Sequence, residues 1–206
     1  MEKTDSETKR IVLVGSESTG KTTLAKKLVK YFRSKGGVYS NTQWVEEYGR
    51  YYTYEKLEKL KKHPDRDKMI PASMDQLVWT EEDFIQIGKI QNKKEDELAK
   101  VSGPVLICDT DAFATAIWYE RYMNHWSVAM EPIINQMKKR SLYLLCDHKG
   151  AKFKQDEIRD GENFREWMTQ KFEEEMTKRH FPYVKLQGGY KERFLKGIQE
   201  IEKILA

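Results

Sequence analysis

Cysteine, proline and long apolar runs are all scarce in this chain of 206 residues. The two cysteines, Cys108 and Cys146, each lie within or at the end of a short apolar run. We therefore expect two reduced, buried thiols rather than a disulfide framework, and no Cys/His spacing indicates a zinc site. No apolar stretch approaches the roughly 20 residues that a membrane helix needs. Residues 1–8 are polar, whereas a secretory signal has an apolar core. We expect a cytoplasmic protein without a membrane partner.

An excess of one charge sign is also missing. Charged residues make up 34% of the chain, but 37 Lys+Arg stand against 33 Asp+Glu, which leaves a formal net charge of +4. So small an excess does not by itself require a nucleic acid as partner. The strongest basic run, residues 56–68, also contains acidic residues and is predicted to be a solvated helix end. We expect no nucleic-acid partner, while a basic pocket for phosphates stays open.

Short apolar runs alternate with longer amphipathic segments, which predicts strands alternating with helices. Continuous apolar runs are typical of strands that are buried on both faces of a parallel sheet. The predicted strands are residues 11–14, 105–108 and 142–146, with weaker candidates at 38–45 and 183–186. The predicted helices are residues 22–31, 113–122, 130–139, 164–180 and 194–205, and a capping box at 80–83 opens one more.

This alternation predicts an α/β fold with a parallel sheet of five strands and helices on both faces. No repeat, low-complexity tract or Pro-rich linker divides the chain. We therefore expect one domain over residues 10–206, after a flexible terminus at 1–9. In such sheets ligands bind beyond the carboxyl ends of the strands, and the chemistry is expected there.

A glycine-rich loop directly follows the first predicted strand. Residues 15–22 read Gly-Ser-Glu-Ser-Thr-Gly-Lys-Thr and match G-x-x-x-x-G-K-[ST] between a strand and a helix. This predicts the P-loop NTPase or kinase form of the fold, in which main-chain N–H groups surround the phosphates of ATP. Lys21 is expected to reach the β- and γ-phosphates, and the Thr22 hydroxyl to bind Mg²⁺. The predicted ATP-binding residues of the loop are Gly15, Ser16, Glu17, Ser18, Thr19, Gly20, Lys21, Thr22 and Thr23.

Two aspartates follow the predicted strand at 105–108. In P-loop proteins an aspartate at the carboxyl end of a strand beside the phosphate loop serves Mg²⁺, so Asp109 is the predicted metal residue. The alternative is that Asp109 caps the next helix, a role for which Asp111 is the better candidate. Asp111 is also a candidate to face the group that accepts a phosphoryl group.

Residues 150–166 are rich in charge and poor in apolar side chains, which predicts a short lid after the fourth strand. Arg159 or Arg165 on such a lid can neutralise charge on a transferred phosphoryl group and help to exclude water. A solvated surface helix is the alternative, and the position after the fourth strand favours the lid.

Together these motifs resemble the P-loop nicotinamide riboside kinase domain of the NadR-type family, over nearly the whole chain from Arg10 onward. The motifs are the phosphate loop, Glu-Tyr-Gly-Arg at 47–50, Gln91, Asp-Thr-Asp at 109–111, Ile-Arg-Asp-Gly at 158–161, Gly189, Tyr190 and Arg193. The resemblance implies ATP- and Mg²⁺-dependent phosphorylation of the 5′-hydroxyl of a nucleoside-like small molecule. The leading acceptor is nicotinamide riboside, which a salvage route converts towards NAD.

The resemblance and the residue chemistry together define a set of candidate site residues. The acceptor-binding candidates are Glu47, Tyr48, Arg50, Gln91 and Asp111, the ATP-binding set gains Arg159, and the catalytic candidates are Lys21, Asp109, Asp111 and Arg159. The carboxylate beside the acceptor hydroxyl is either Asp111 or Glu47, since both have the chemistry of a general base.

Two features depart from the family pattern. Members often carry an adenylyltransferase domain ahead of the kinase, whereas here the phosphate loop begins at residue 15 and no His-x-x-His occurs, so we expect kinase activity only. Some relatives sandwich the nicotinamide ring between aromatic residues at positions where this chain has Glu46 and Asp96. The candidates to replace these aromatic residues, each of which core packing also explains, are Trp44, Tyr48, Trp79 and Tyr119.

Other functions stay open beside the leading one. Another nucleoside or small alcohol is an alternative acceptor. A regulatory ATPase or GTPase module would bind nucleotide without needing Glu47, Arg50 and Gln91. A kinase for a nucleoside monophosphate would need more acceptor-side arginines than Arg50. The sequence does not decide between ATP and GTP, and it leaves a homo-oligomer open.

Overall fold

The computed structural model of the chain describes residues 8–63, 72–156, 158–159 and 161–206. Its core is a parallel sheet of five strands in the order β2-β3-β1-β4-β5. The strands are β1 (Lys9–Val14), β2 (Gln43–Val45), β3 (Val105–Asp109), β4 (Leu142–Cys146) and β5 (Tyr183–Leu186). The predicted α/β fold with five parallel strands is therefore confirmed.

Seven helices cover both faces of the sheet in the described part of the chain. They are α1 (Lys21–Ser34), α2 (Tyr48–Lys61), α3 (Glu81–Val101), α4 (Ala112–Met123), α5 (Glu131–Asn135), α6 (Arg165–Lys178) and α7 (Tyr190–Leu205). Short 3₁₀ turns lie at Gly37–Asn41, Met74–Gln76, Val128–Met130 and Glu162–Phe164. None of the helices in these ranges is long and apolar enough to cross a membrane.

Strand β1 shows why the apolar runs are continuous. Ile11 and Leu13 pack into a cluster with α1 and α7 on one face of the sheet. Val12 and Val14 pack on the other face against α3, α4 and α6. Successive strand residues point to opposite faces, so a strand covered on both sides needs apolar residues throughout. Burial on both faces places the carboxyl end of β1, and the loop after it, at a rigid position.

The capping box predicted at 80–83 is confirmed. The Thr80 hydroxyl accepts a hydrogen bond from the Asp83 main-chain N–H at 3.3 Å, and the Asp83 carboxylate accepts from the Thr80 N–H at 2.8 Å. Two N–H groups that the helix itself cannot satisfy are thereby paired. Helix α3 thus begins at a defined residue and carries Gln91 and Glu95 beside the carboxyl end of β3.

Two predicted elements are shorter than expected. Within the candidate strand at 38–45, only Gln43–Val45 pairs with β3, because Gly36 and Gly37 both adopt positive φ and start a 3₁₀ turn. The helix predicted at 130–139 is limited to α5. Beyond α5 the chain continues to Arg140, whose buried side chain donates back to the Lys138 carbonyl at 2.7 Å.

Some predicted segments lie partly or wholly outside the described residues. These are residues 1–7 of the terminus predicted to be flexible, residues 64–68 of the basic run, and residues 157 and 160 of the predicted lid. Thr8 and Lys9 already belong to the fold, because Lys9 begins β1 and the buried Thr8 hydroxyl donates to the Gly103 carbonyl at 3.2 Å. The expectation of a flexible terminus is therefore corrected for these two residues.

Candidate active site

A cavity of about 260 Å³ lies at the carboxyl ends of the strands. The surrounding parts of the chain are the phosphate loop (residues 15–22) with the start of α1, the start of α2, the connection between α2 and α3, the residue after β3, the facing sides of α3 and α4, and the β4–α6 segment (residues 147–164). The lining residues are residues 17–23, Glu47, Gly49, Arg50, Thr53, Met74, Trp79, Phe84, Ile87, Thr110, Thr115, Trp118, Tyr122, Lys152, Lys154, Ile158 and Arg159.

The phosphate loop needs glycine at both ends for different reasons. At Gly15 φ is 137°, and a Cβ there would lie 2.5 Å from the Cys146 carbonyl oxygen at the end of β4. Gly20 has φ of 84° and directly precedes the first residue of α1. Left-handed backbone of this kind favours glycine, and the close approach at Gly15 allows no side chain. The strand-loop-helix context predicted for the motif is therefore present.

Lys21 lies folded beneath the phosphate loop. Its ammonium group donates hydrogen bonds to the Gly15 and Ser16 carbonyls, both at 2.8 Å, and only 8% of the residue is exposed. The same side chain lines the cavity. One positive charge is thus held at the point where the loop and the cavity meet. Gly15 and Ser16 lie at the base of the loop, outside the cavity lining.

Asp109 combines burial with missing partners. It is fully buried at the end of β3, and both carboxylate oxygens lack a hydrogen-bond partner among the described residues. Burial, and next the negative charge of Glu47, raise the pKa of Asp109 to about 7, while the Lys21 ammonium and the Thr22 hydroxyl act in the opposite direction. An unpaired buried carboxylate beside a hydroxyl is a donor set that suits Mg²⁺, which prefers oxygen ligands. The residues present therefore fit the expected metal.

Asp111 lies buried at the N-terminus of α4 and not in the cavity lining. It caps α4, with its carboxylate accepting from the Ala114 N–H at 2.9 Å, from the Tyr143 hydroxyl at 2.7 Å and from the Arg140 guanidinium at 3.3 Å. It is fully buried and does not line the cavity. The expectation that Asp111 faces the acceptor is corrected, because these three donors already occupy the carboxylate. The preference for Asp111 as the helix cap agrees with this geometry.

Gln91 and Tyr48 also lie outside the cavity lining. The Gln91 side-chain oxygen accepts from the Tyr48 main-chain N–H at 3.0 Å, and its amide nitrogen donates to the Thr110 carbonyl at 3.4 Å. The Tyr48 ring instead packs against Tyr51 and Tyr52, with centroids 5.8 and 6.2 Å away. Both residues are thus used within the fold, and their acceptor contacts stay predictions. Gln91 joins the first turn of α2 to the end of β3, close to the lining residues on either side.

Two predicted arginines of the cavity share one carboxylate. Arg50 on α2 donates to Asp156 at 2.6 Å, and the Arg159 guanidinium lies 3.2 Å from the same oxygen. These contacts, together with the Ile158 N–H, hold the pKa of Asp156 below its usual value although burial acts against them. Asp156 was not predicted as a site residue, because no local sequence pattern indicates its contact with Arg50, 106 residues away. One carboxylate therefore holds two guanidinium groups, and Arg50 is fixed by an ion pair within the protein.

The β4–α6 segment is attached to the phosphate loop at two points. The Ser18 hydroxyl accepts from the Lys154 N–H at 3.0 Å, and the Glu17 carboxylate accepts from the Gly161 N–H at 3.0 Å. Lys152, Lys154 and Arg159 from this segment line the cavity. Three cationic residues of this segment thus line the same cavity as the loop. Arg165 does not line the cavity.

The opposite end of the cavity is aromatic. Trp79 packs against Phe84 and Tyr122, with ring centroids 5.3 and 5.4 Å away, and Trp118 lies one helical turn from Tyr122. Of the aromatic candidates from the sequence, only Trp79 lines the cavity. Sequence reasoning missed Phe84, Trp118 and Tyr122. The spacing of Thr115, Trp118 and Tyr122, three and four residues apart on α4, is the signal that would have placed them on one face.

Arg193 on α7 connects the phosphate loop to the loops after β4 and β5. Its guanidinium is 4% exposed and donates to four carbonyls, those of Thr19 at 3.3 Å, Asp147 at 2.7 Å, Gly188 at 2.8 Å and Lys149 at 2.6 Å. Sequence reasoning named Arg193 but assigned it no task. This geometry makes it a support for the loop from behind.

Replacing Arg193 with methionine, which keeps the apolar stem, is expected to lower the free energy of unfolding by at least about 2 kcal/mol. Several buried carbonyls would lose their partner at once. Lys196→Met on the exposed side of the same helix is the matched control and is expected to change stability by less than about 0.5 kcal/mol. Denaturant unfolding measures both. Equal effects of the two changes would contradict the support role.

The strand order, the phosphate loop and the acid at the end of β3 define a protein of the P-loop class. A family model described as an AAA domain matches residues 10–193, and the chain belongs to this family. A search of curated proteins found no match.

Solved structures show the same fold in proteins of distant sequence. A NadR protein in complex with NR is 19% identical with a TM-score of 0.66, covering 97% of this chain and 52% of that chain. This chain therefore spans about half the length of the NadR protein. A thymidylate kinase from Ehrlichia chaffeensis and a deoxyadenosine kinase from M. mycoides are 13% and 14% identical, each with a TM-score of 0.60. Each match covers 94% of this chain, and 98% and 99% respectively of the kinase.

Proposed function

We propose that the protein is a kinase that uses ATP and Mg²⁺ to phosphorylate a hydroxyl of a nucleoside-like small molecule. The observation that carries the proposal is a single cavity with a phosphate loop at one end and a carboxylate and aromatic rings at the other. Nicotinamide riboside, phosphorylated at its 5′-hydroxyl, is the leading acceptor. It is supported by the resemblance of the motifs and by the fold shared with a NadR protein.

The nucleotide end suits a triphosphate. The N–H groups of the phosphate loop and the first turn of α1 provide donors for phosphate oxygens, and the helix N-terminus favours negative charge. Lys21 supplies the nearest positive charge, while Lys152, Lys154 and Arg159 supply more from the β4–α6 segment. Phosphoryl transfer depends mainly on positioning and on charge stabilisation, which this arrangement provides.

Thr22 and Asp109 would hold Mg²⁺. When bound, the ion supplies positive charge that bridges and neutralises phosphate oxygens. The fit rests on the unpaired, buried Asp109 carboxylate beside the Thr22 hydroxyl.

Glu47 is the carboxylate for the acceptor hydroxyl. It lines the cavity, and its charge is close enough to raise the pKa of Asp109, so it is the lining carboxylate near the metal residue. Asp111, the other candidate, is fully engaged by donors of the fold. A carboxylate at this position can orient the hydroxyl and accept its proton as the oxygen attacks the terminal phosphorus.

The acceptor end favours an alcohol over a nucleoside monophosphate. Arg50, which lines this end, already forms an ion pair with Asp156 at 2.6 Å, so the phosphate of a monophosphate would have to compete with that carboxylate for it. Flat aromatic faces such as Trp79 suit a planar base or ring, which stacks against them. Thymidine, deoxyadenosine and nicotinamide riboside all meet this description, and the assay must include each of them.

The test is ADP release with a panel of nucleosides, including nicotinamide riboside, and with the matching monophosphates. Stimulation of ADP release by at least one nucleoside, with the product one phosphate heavier by mass spectrometry, is the expected result. Glu47→Gln, which keeps the shape, is expected to lower turnover while nucleotide binding stays. Tight nucleotide binding with slow hydrolysis that no acceptor stimulates would favour the regulatory module instead.

Arg159→Ala is expected to lower kcat at least about tenfold while the acceptor KM changes less than threefold. An arginine that acts on developing charge contributes mainly in the transition state, so its loss affects kcat more than binding. Steady-state kinetics at saturating ATP measure both values. Arg159→Lys, which keeps the charge, is expected to retain more activity than the alanine variant. A change confined to the acceptor KM would contradict the proposed role.

A further inference from the structure

Thr110 has a backbone conformation that its own chemistry disfavours. Its φ is 65°, in the left-handed region, although threonine is β-branched. Such a conformation costs on the order of 1–3 kcal/mol and persists only where the surroundings impose it. Strained positions of this kind cluster at functional sites. Thr110 lies between Asp109 at the end of β3 and Asp111, the N-cap of α4.

Hydrogen bonds hold the Thr110 backbone on both sides. Its N–H donates to the Leu13 carbonyl of β1 at 3.0 Å, and its carbonyl accepts from the Gln91 amide at 3.4 Å. Gln91 in turn accepts from the Tyr48 N–H at the start of α2. The strained residue is thereby tied to the strand before the phosphate loop and to the helix that follows Glu47. Its position relative to both ends of the cavity is defined.

Thr110 lines the cavity, and its hydroxyl makes no hydrogen bond within the described residues. Thr22 and Thr23, at the start of α1, also line the cavity without a side-chain hydrogen bond among the described residues, whereas the lining threonines on α2 and α4 use theirs internally. The Thr115 hydroxyl donates to the Asp111 carbonyl at 3.0 Å, and the Thr53 hydroxyl donates to the Gly49 carbonyl at 2.8 Å. A threonine hydroxyl can donate one hydrogen bond and accept others. At Thr110 this capacity is left for a ligand.

We propose that Thr110 contacts the acceptor, and that its hydroxyl forms a hydrogen bond which positions the alcohol for attack. The inference rests on the proposed function and adds a residue to it. Thr110 directly follows the metal residue Asp109, and through Gln91 it is tied to the turn that follows Glu47. A hydrogen bond from the Thr110 hydroxyl would fix the acceptor between the carboxylates of Asp109 and Glu47. The strained backbone is the cost of placing the hydroxyl there.

The experiment compares three substitutions at this position. Thr110→Ser keeps the hydroxyl and is expected to retain the acceptor kcat/KM within about threefold. Thr110→Val keeps the branched shape but removes the hydroxyl, and it is expected to lower the acceptor kcat/KM at least about tenfold, as loss of one well-placed hydrogen bond does. Nucleotide affinity, measured by calorimetry, is expected to stay within about twofold for both. That measurement also shows that each variant is folded.

Thr110→Gly adds thermal stability as a second readout. If Thr110 had only a structural role, a variant with a higher Tm would not also lose activity. Glycine adopts positive φ freely, so this variant is expected to raise Tm by about 2–4 °C while it lowers the acceptor kcat/KM. The matched control is His180→Gly, at an exposed position after α6 with φ of 54°. It is expected to keep or raise Tm with turnover unchanged.

The outcomes separate this inference from the proposed function. Acceptor-dependent turnover in the unmodified protein and an equal kcat/KM in Thr110→Val would overturn the contact alone. Equal losses in Thr110→Ser and Thr110→Val would overturn it as well, because the hydroxyl would then not be the active group. Absence of acceptor-dependent turnover in the unmodified protein, over the whole panel, would overturn the proposed function and this contact with it.

Discussion

Replacement of Lys21 by alanine is expected to weaken ATP binding at least about a hundredfold and to reduce turnover below detection. The side chain is the cation nearest to the phosphate loop, and it is buried beside the loop carbonyls. Charge-assisted hydrogen bonds in such a setting are roughly twice as strong as neutral ones, and several phosphate oxygens share this group. Calorimetry with a non-hydrolysable ATP analogue measures the binding, and ADP release measures the turnover.

The alanine variant also loses two hydrogen bonds inside the loop, so the loop itself must be checked. The Lys21 ammonium group holds the Gly15 and Ser16 carbonyls in the absence of phosphate. A thermal unfolding curve within a few degrees of the parent would show that the fold persists. Lys30→Ala, at an exposed position of the same helix, removes an equal charge away from the cavity and is expected to bind nucleotide normally. Undiminished affinity in Lys21→Ala would contradict the phosphate site.

The fold was predictable from the sequence because each of its determinants is local. A strand covered on both faces needs an unbroken apolar run, and the runs at β1, β3 and β4 have this form. The capping box at Thr80 and the glycines of the phosphate loop act over a few residues, and short patterns of this kind are visible in one chain. The predicted helix at 130–139 was wrong in length, since α5 ends at Asn135 and the chain then runs to a buried ion pair at Arg140. Arg140 reaches Glu95 at 2.6 Å, a contact that no local pattern shows.

The nucleotide end of the candidate site was predictable for the same reason, and the acceptor end was not. The acceptor end is assembled from α2, α3, α4 and the β4–α6 segment, which are far apart in the sequence. Arg50 and its partner Asp156 are 106 residues apart, and Asp111 and the Tyr143 hydroxyl are 32 apart. Asp111 and Glu47 are both carboxylates, so the sequence alone does not distinguish them. Only the folded structure shows that Asp111 is hydrogen-bonded within the fold, whereas Glu47 lines the cavity.

Asp109→Asn is expected to reduce turnover at least about a hundredfold without lowering stability. The reduction is typical of removing one electrostatic stabiliser from a transfer reaction. Stability is expected to hold or rise, because the carboxylate is buried, unpaired and close to the charge of Glu47. A neutral amide of the same shape avoids that desolvation cost. ADP release and thermal unfolding measure the two effects separately.

Asp111→Asn is the matched change two residues away, and the expected pattern is the reverse. Asp111 accepts from Tyr143, Arg140 and the α4 main chain, so the amide loses charge-assisted bonds inside the fold. The free energy of unfolding is expected to fall by about 1–3 kcal/mol. Turnover of the fraction that stays folded is expected to exceed that of Asp109→Asn by at least tenfold. Near-normal turnover in Asp109→Asn would contradict its role beside the phosphates, whereas full stability in Asp111→Asn would contradict the buried cap. Two carboxylates that look equivalent in Asp-Thr-Asp are thus separated by one pair of measurements.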